Sequence, residues 1–545
     1  MSGARSILIV GGGTAGWLTA AYLARFFGTG RPVRITLLES PDIGTIGVGE
    51  GAFPTIRATL RFLDIDESQF IRAVSGTFKQ GIRFDDWLHA PAEGRRHRYL
   101  HPFEPPFHAD GVDLVAHWLA QDPARRPPFA QAVTIQHRVA EAGRAPKQAG
   151  EGAFDGPLSY AYHFDAQRLG QVLGERAREL GVRHLAGRLG HVALGPDGAI
   201  DHVLTDTHGA LSADLYIDCT GFRAELIGGA LGARFASARD RLFTNRALAC
   251  KLPYARPDAP LQTMTIAAAH DAGWTWDIGL ADARGIGTVY SDDHMDDDAA
   301  LAVLARYTGV APDRLEPRLL SFDPGHRPQQ WVRNCVAVGL SGGFLEPLES
   351  TGLVLIEAAI AMIAELFPHR GPLDAPAARF NGLMAARYEA IADFLKLHYC
   401  LSRREEPFWR DNVAPGSVSG RLRDLLDQWR HRPPNRFDFT LDVESFAFFN
   451  YQYILYGMDF ACDARDPAGT ASATEPDRLF RRIAAFGEQA VAELPQHRAL
   501  IDSSPDNRLP YRSPRRIGWA ERARVTPMDR KQETDGCRSG TSRRS

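Results

Sequence analysis

Ile7-Leu8-Ile9-Val10-Gly11-Gly12-Gly13-Thr14-Ala15-Gly16-Trp17 is the stretch that decides the fold class. The four apolar residues read as a short buried parallel strand, and the glycines as the turn that follows it. From Trp17 to Phe27, Leu18, Ala21, Tyr22 and Ala24 recur at helical spacing. In such a turn Gly11 permits the sharp bend, Gly13 lets backbone approach a pyrophosphate, and Gly16 lets the helix pack close to the strand. The N–H groups of Thr14 and Ala15, at the helix start, are placed to donate to phosphate. Arg34 to Glu39 reads as a second strand. Its last residue, Glu39, is the acid wanted roughly 20 residues past the glycines to bind ribose hydroxyls. This is the βαβ unit of a doubly wound sheet, an opening shared by NAD and FAD proteins.

The totals set the frame around it. At 545 residues the chain is too long for one simple core, and its 44% hydrophobic and 24% charged residues are those of an ordinary globular enzyme. A net charge of -3 gives no global attraction to nucleic acid or anionic membrane. No apolar run is long enough for a transmembrane helix, and the first apolar stretch leads into glycines rather than a cleavage site. The six cysteines, Cys219, Cys250, Cys335, Cys400, Cys462 and Cys537, are scattered without CxxC pairs, which suggests neither a metal site nor a disulfide framework. A cytoplasmic setting is expected.

Along the chain, residues 88–150 are rich in Pro, Arg, His and Gly and predict long loops near a substrate, with Ala140 to Gly156 weakly structured. Phe164 to Leu180 predicts an amphipathic helix opened by Asp165 as N-cap. Strands are predicted around Gly187–Leu204, Leu215–Ile217 and residues 262–290. The expected organisation is an FAD-binding α/β body over 1–350 with interleaved substrate-facing segments at about 80–165. A mostly helical substrate-binding subdomain over 351–502 follows it. The tail, 503–545, is dense in Arg, Ser, Pro and Asp and is expected to be disordered; a basic docking arm is the alternative.

A second motif is far rarer than the first: Gly342-Gly343-Phe344-Leu345-Glu346-Pro347-Leu348-Glu349-Ser350-Thr351-Gly352. It resembles the active-site signature of the flavin-dependent tryptophan halogenases. Lys79, in Phe78-Lys79-Gln80-Gly81, stands where that family keeps its catalytic lysine. A lone lysine would read as a solvated surface charge. Ile46-Gly47-Val48-Gly49-Glu50-Gly51 and Pro54-Thr55-Ile56 resemble the family's loop beside the flavin, which brings Gly49 and Glu50 into the cofactor set. Asp218-Cys219-Thr220-Gly221-Phe222 is similar to its late strand and turn, and Asn334 to Leu340, with Gly339, to the strand leading to the isoalloxazine. The resemblance spans residues 6–465 and implies a glutathione-reductase-like fold with a mixed substrate sheet.

The roles follow from the resemblance. FAD enters as FADH2 from a separate NAD(P)H-dependent flavin reductase. It reacts with O2 to a flavin hydroperoxide, which chloride or bromide attacks. Hypohalous acid then travels to Lys79, which either hydrogen-bonds it or carries the halogen. Glu349 stabilises the ring cation and takes its proton, Ser350 orients Lys79, and the N–H groups of Thr351 and Gly352 hold halide. Glu346 is the second choice for the base.

Trp274 and Trp276 partly match a Trp-x-Trp-x-Ile-Pro signature that walls the flavin off from substrate, with Gly279 in place of the proline. His101 and Phe103 match positions that sandwich an indole, and Glu444, Phe448 and Phe449 fall in the segment that holds tryptophan. The tyrosine pair expected before Glu444 is replaced by Phe437 and Asp438, so free tryptophan is expected to be a poor substrate. Phe446, Phe448 and Phe449 read equally well as helix core. The function implied is halogenation of an electron-rich, indole-type aromatic, with a homodimer as a family-level expectation. A flavin-dependent aromatic hydroxylase and a non-catalytic flavin-fold binding protein are the alternatives.

Overall fold

The computed structural model describes residues 5–28, 33–44, 49–108, 112–368, 371–440, 443–463 and 474–503. The predicted disordered tail lies outside the described residues except for Ser503, and so does the Ile46-Gly47-Val48 part of the flavin-loop motif.

β1 (Ser6–Val10) has four consecutive buried residues and runs into α1 (Thr14–Phe27), then β2 (Arg34–Glu39). The helix thus begins three residues before the predicted Trp17. The turn between β1 and α1 tolerates no side chain at its tightest points. Gly11 has φ 114°, and a Cβ there would lie 2.2 Å from the Cys219 carbonyl oxygen. At Gly16 a Cβ would meet the Gly11 carbonyl at 1.9 Å. The short strands β3 (Glu50–Gly51) and β4 (Thr77–Lys79) come next, followed by β5 (Gly81–Asp85), β6 (Arg98–Pro102) and β7 (Ala161–Phe164). α2 (Ala166–Glu179) starts as predicted at Asp165, whose side chain accepts from the N–H groups of Gln167 and Arg168.

β8 (Arg183–Ala186) and β9 (Leu215–Asp218) complete the early strands. Four long strands follow: β10 (Arg246–Pro253), β11 (Thr265–His270), β12 (Gly273–Gly279) and β13 (Ala283–Tyr290). β14 (Arg318–Ser321), β15 (Trp331–Val332) and β16 (Cys335–Ala337) end the sheet region. α3 (Thr351–Leu366) and the 27-residue α4 (Asp374–Cys400) open the helical part. α5 (Phe448–Gly457), α6 (Thr474–Glu493) and α7 (His497–Asp502) close it.

The dinucleotide sheet has the order β15-β16-β9-β1-β2-β8, with β1 parallel to both β2 and β9. A seven-stranded sheet, β14-β10-β13-β12-β11-β5-β6, is antiparallel except where β11 pairs with β5. A third sheet holds β3, β7 and β4. α1 packs against α2 and α3. The segment predicted as weakly structured is irregular after Glu141, but it is firmly anchored. Lys147 is buried there, bonding Glu67 Oε2 at 2.9 Å and the Gly152 carbonyl at 2.7 Å. Leu479, Ile483 and Ala490 of α6, with Leu494 just past its end, cluster with Leu114, Ile135, Val139 and Leu158. Among the described residues no helix is long and apolar enough to cross a membrane.

One junction positions the site. The chain passes from β4 in the three-stranded sheet to β5 in the seven-stranded sheet through Gln80 and Gly81. Gly81 has φ 152°, and a Cβ on it would lie 2.3 Å from the His101 carbonyl oxygen. The backbones of β5 and β6 touch there, and Lys79 at the end of β4 has its Nζ 5.5 Å from the ring of Phe103, just past β6.

Candidate active site

A cavity of about 1060 Å³ runs from the β1–α1 turn to the start of α3. Its walls include Gly11, Gly13, Thr14, Ala15, Glu39, Gly49, Glu50 and Gly339 as well as Glu349, Ser350, Thr351 and Gly352. The volume is at the upper end of what small-molecule sites need. At Gly13 an added Cβ would meet nothing within 4 Å, so the backbone there faces open space, and α1 begins without a side-chain cap. An exposed glycine backbone before an uncapped helix start is what a bound pyrophosphate requires. A dinucleotide of FAD size therefore fits the residues present. Gly16 is absent from the wall; it serves the turn. Glu39 reaches the cavity while paired with His184 at 2.9 Å. Gly339, with φ 76°, brings the backbone after β16 onto Ala15. Glu50 is half-buried, and desolvation first, then Asp165, raises its carboxyl to about 7.

Lys79 is fully buried, behind the cavity wall rather than on it. Its Nζ donates to Ser350 Oγ at 2.8 Å and to the Ala52 carbonyl at 3.3 Å. Burial depresses its pKa to about 7 against the opposing charge of Glu349. Gly51 makes this arrangement fit, since a Cβ there would lie 2.9 Å from Ser350 Oγ and 3.0 Å from Lys79 Nζ.

Glu349 and Ser350 are consecutive non-glycine residues in left-handed backbone, φ 63° and 57°. Each costs of order 1–3 kcal/mol, strain that surrounding structure must hold in place. The bend turns the chain into α3, whose first-turn N–H groups at Thr351 and Gly352 have no intrahelical acceptor and lie along the cavity.

Two histidine nitrogens converge on Glu349 Oε1 at hydrogen-bond distance, His101 Nδ1 at 2.8 Å and His398 Nε2 at 3.0 Å. Burial would raise this carboxyl. The charge and hydrogen bond that His101, then His398, supply when protonated override it and hold Glu349 at about 2. Glu346 has different surroundings: it accepts from Thr244 at 2.5 Å and from Tyr399, and burial raises it to about 7. The ionised carboxylate on the cavity is Glu349.

Phe103 lies 5.5 Å from Lys79 Nζ. From it an aromatic series runs through Phe53 at 5.9 Å to Phe446 at 5.6 Å, which stacks on Phe394 at 3.8 Å. The aromatic that reaches this series is Phe446, whereas sequence reading favoured Phe448 and Phe449. Those two begin α5, half-buried, with Phe449 packed on the core. Glu444 is held by Arg421 at 2.8 Å, and Arg421 also pairs with Asp393 at 3.0 Å. Where a tyrosine pair was expected, Phe437 is 82% exposed and Asp438 accepts from Trp429 and Arg432. Trp274 and Trp276 are both buried in β12 and line the cavity.

Sequence reading missed Gly51, Phe53, His398 and Asn450. Gly51 stood inside a quoted motif, and Asn450 directly after Phe449, but neither carried a chemical signal of its own. His398 lies 49 residues from Glu349 on a long helix, and no spacing rule links the two.

A protein-family model described as tryptophan halogenase matches residues 6–474. The chain is 33% identical over 521 residues to the tryptophan 6-halogenase SttH of Streptomyces toxytricini, covering 92% of this chain and 96% of that one. A solved tryptophan halogenase from Shewanella frigidimarina superposes with a TM-score of 0.88 at 37% identity, over 92% of this chain and 97% of the other. BrvH, a flavin-dependent halogenase from Brevundimonas sp. BAL3, gives 0.82 at 33% identity over 92% and 99%.

Proposed function

The chain belongs to the tryptophan halogenase family, and from that premise we propose that it halogenates an indole-type aromatic at a site made by Lys79, Ser350 and Glu349. The observation that carries the reading is the burial of Lys79 against Ser350 behind the wall of a dinucleotide-sized cavity, with an ionised Glu349 beside it. Bound in the cavity as FADH2, the flavin supplies the two electrons that, with O2, convert chloride or bromide to an electrophile. A separate flavin reductase provides the reduced form.

The protein's own residues do the rest. Gly11, Gly13, Thr14, Ala15 and Glu39 hold the dinucleotide, and the N–H groups of Thr351 and Gly352 hold halide. With a pKa of about 7, Lys79 is present at neutral pH both as an ammonium, which donates to hypohalous acid, and as an amine, which can carry the halogen. Ser350 aims it. The buried carboxylate of Glu349 stabilises the cationic ring and draws off its proton.

The substrate is an indole-bearing molecule without a free amino-acid backbone. Glu444, the acid available to hold an ammonium, is already paired with Arg421, and no tyrosine pair stands before it. The test is turnover with FAD, a flavin reductase, NADH, O2 and bromide on indole, simple substituted indoles and tryptophan. Brominated indoles formed faster than bromotryptophan support the reading. Tryptophan as the best of the panel refutes the substrate assignment, and no brominated product from any of them refutes the indole class.

A further inference from the structure

We propose that the proton acceptor at this site is a three-member relay, Glu349 with His101 and His398, in which His398 is a positioning residue for the carboxylate. The proposal rests on the reading of Lys79 and Glu349 given above.

The argument is a proton count. His398 Nδ1 lies 2.9 Å from the Phe394 carbonyl oxygen. A carbonyl has no proton to give, so Nδ1 carries one. His101 Nε2 lies 2.9 Å from Asn450 Oδ1. Asn450 Nδ2 donates to the Ala447 carbonyl at 3.2 Å, which fixes the amide with its oxygen toward His101. His101 Nε2 therefore also carries a proton. Both outer nitrogens are committed as donors, and both inner nitrogens converge on the one oxygen, Glu349 Oε1.

Each inner contact is a hydrogen bond only if it has its own proton. With one inner proton, one contact leaves a nitrogen lone pair facing an oxygen lone pair. With two, both are satisfied. His101, His398 and Glu349 are all at most 2% exposed, so water cannot make up the missing bond, and an unmade bond is costly. The cluster with one inner proton is accordingly a base that gains a hydrogen bond when it takes the second. Lys79 and Tyr99 are the other titratable groups whose charge couples to Glu349. Tyr99 stays neutral because burial, then Glu349, pushes its hydroxyl up. Tyr453 and Trp87 flank His101 and His398 without charge.

The step balances as follows. With hypohalous acid bonded to the Lys79 ammonium, the ring carbon forms its bond to halogen as the oxygen–halogen bond breaks. The departing oxygen takes that electron pair and the Lys79 proton and leaves as water. The ring C–H electron pair returns to the π system, and its proton becomes the second inner proton of the relay.

The test uses the holoenzyme with reductase and bromide, timing single turnovers of indole and ring-deuterated indole in separate reactions. Wild type should show no difference between the two, because proton loss is fast. His398→Gln keeps one neutral donor to Glu349 but cannot share a proton. It should be about 100-fold slower, with the deuterated ring slower still. Equal rates for the two rings in a slowed His398→Gln would mean a merely structural role, and a variant as fast as wild type would mean none; either overturns the relay. His101→Gln, with FAD binding as the folding check, repeats the test at the second histidine. Nitrogen-15 NMR of the wild type needs no variant. Both outer nitrogens, His398 Nδ1 and His101 Nε2, should carry protons, and an outer nitrogen found without one overturns the proposal. Wild type that makes no bromoindole rejects indole as the substrate of the proposed function, which is a separate outcome.

Discussion

Lys79 Nζ lies 2.8 Å from Ser350 Oγ although 271 residues separate them. Two backbone peculiarities produce the contact: the glycine crossover after β4 that carries Lys79 between sheets, and the left-handed pair Glu349 and Ser350 that swings the hydroxyl toward it. A buried amine with one directed partner is an aimed group, and its geometry can be tested at each support.

Ser350→Ala and Ser350→Gly both remove the partner, but only glycine relaxes φ 57°. Both variants should lose most halogenation. By thermal or urea unfolding the alanine form should be less stable than the glycine form by about 1 kcal/mol. Equal stabilities would mean that the left-handed bend is unstrained.

Gly51→Ala places a methyl 2.9 Å from Ser350 Oγ and 3.0 Å from Lys79 Nζ. Pushing the pair apart by a fraction of an ångström should cost roughly 100-fold in halogenation while FAD binding, measured by flavin absorbance, stays near that of the wild type.

The two acids of the motif should separate cleanly. Glu346 is raised to about 7 and accepts hydroxyl hydrogen bonds, so Glu346→Gln should fold and keep most activity. Glu349, held at about 2, works as an anion. Glu349→Gln should lose on the order of 10²- to 10⁴-fold in single-turnover rate. A larger loss at Glu346 would reverse the assignment.

Stability should carry the mark of Lys79. Its folded pKa, about 7, lies below the ordinary 10.5. Between those values the unfolded chain binds a proton that the folded one does not, so the folded state loses stability as pH falls from about 10 to 7 and nothing further below. Glu349 has the opposite case, contributing stability above 4.5 that is lost as pH falls toward 2. Lys79→Met should therefore gain on wild type as pH is lowered from 9 to 7, by at most about 1.4 kcal/mol per pH unit. Urea unfolding at several pH values checks the slope; a flat difference would mean that Lys79 is not desolvated.

The parts of this molecule written as local rules were readable from sequence. The strand–glycine–helix start and the Asp165 cap each state their geometry within a dozen residues, whereas the Glu-Pro-Leu-Glu-Ser-Thr-Gly run is legible through its resemblance to a family signature and its left-handed bend is not. His398 and Asn450 could not be read that way. Each sits on a helix whose sequence reports only that a face is buried, and their meaning comes from what the packed helix meets. The same limit explains the aromatic series. Phe446, Phe448 and Phe449 are equivalent in a sequence, and the start of α5 at Phe448 decides that Phe446, before the helix, reaches Phe53.

The most direct measurement is mass spectrometry of indole incubated with FAD, a flavin reductase, NADH, O2 and bromide, using wild type beside Lys79→Ala. The account predicts a bromine isotope doublet from wild type and none from the variant, with FAD still bound by both. A doublet that survives in Lys79→Ala, or a product one oxygen heavier from both proteins and no bromine in either, would contradict it.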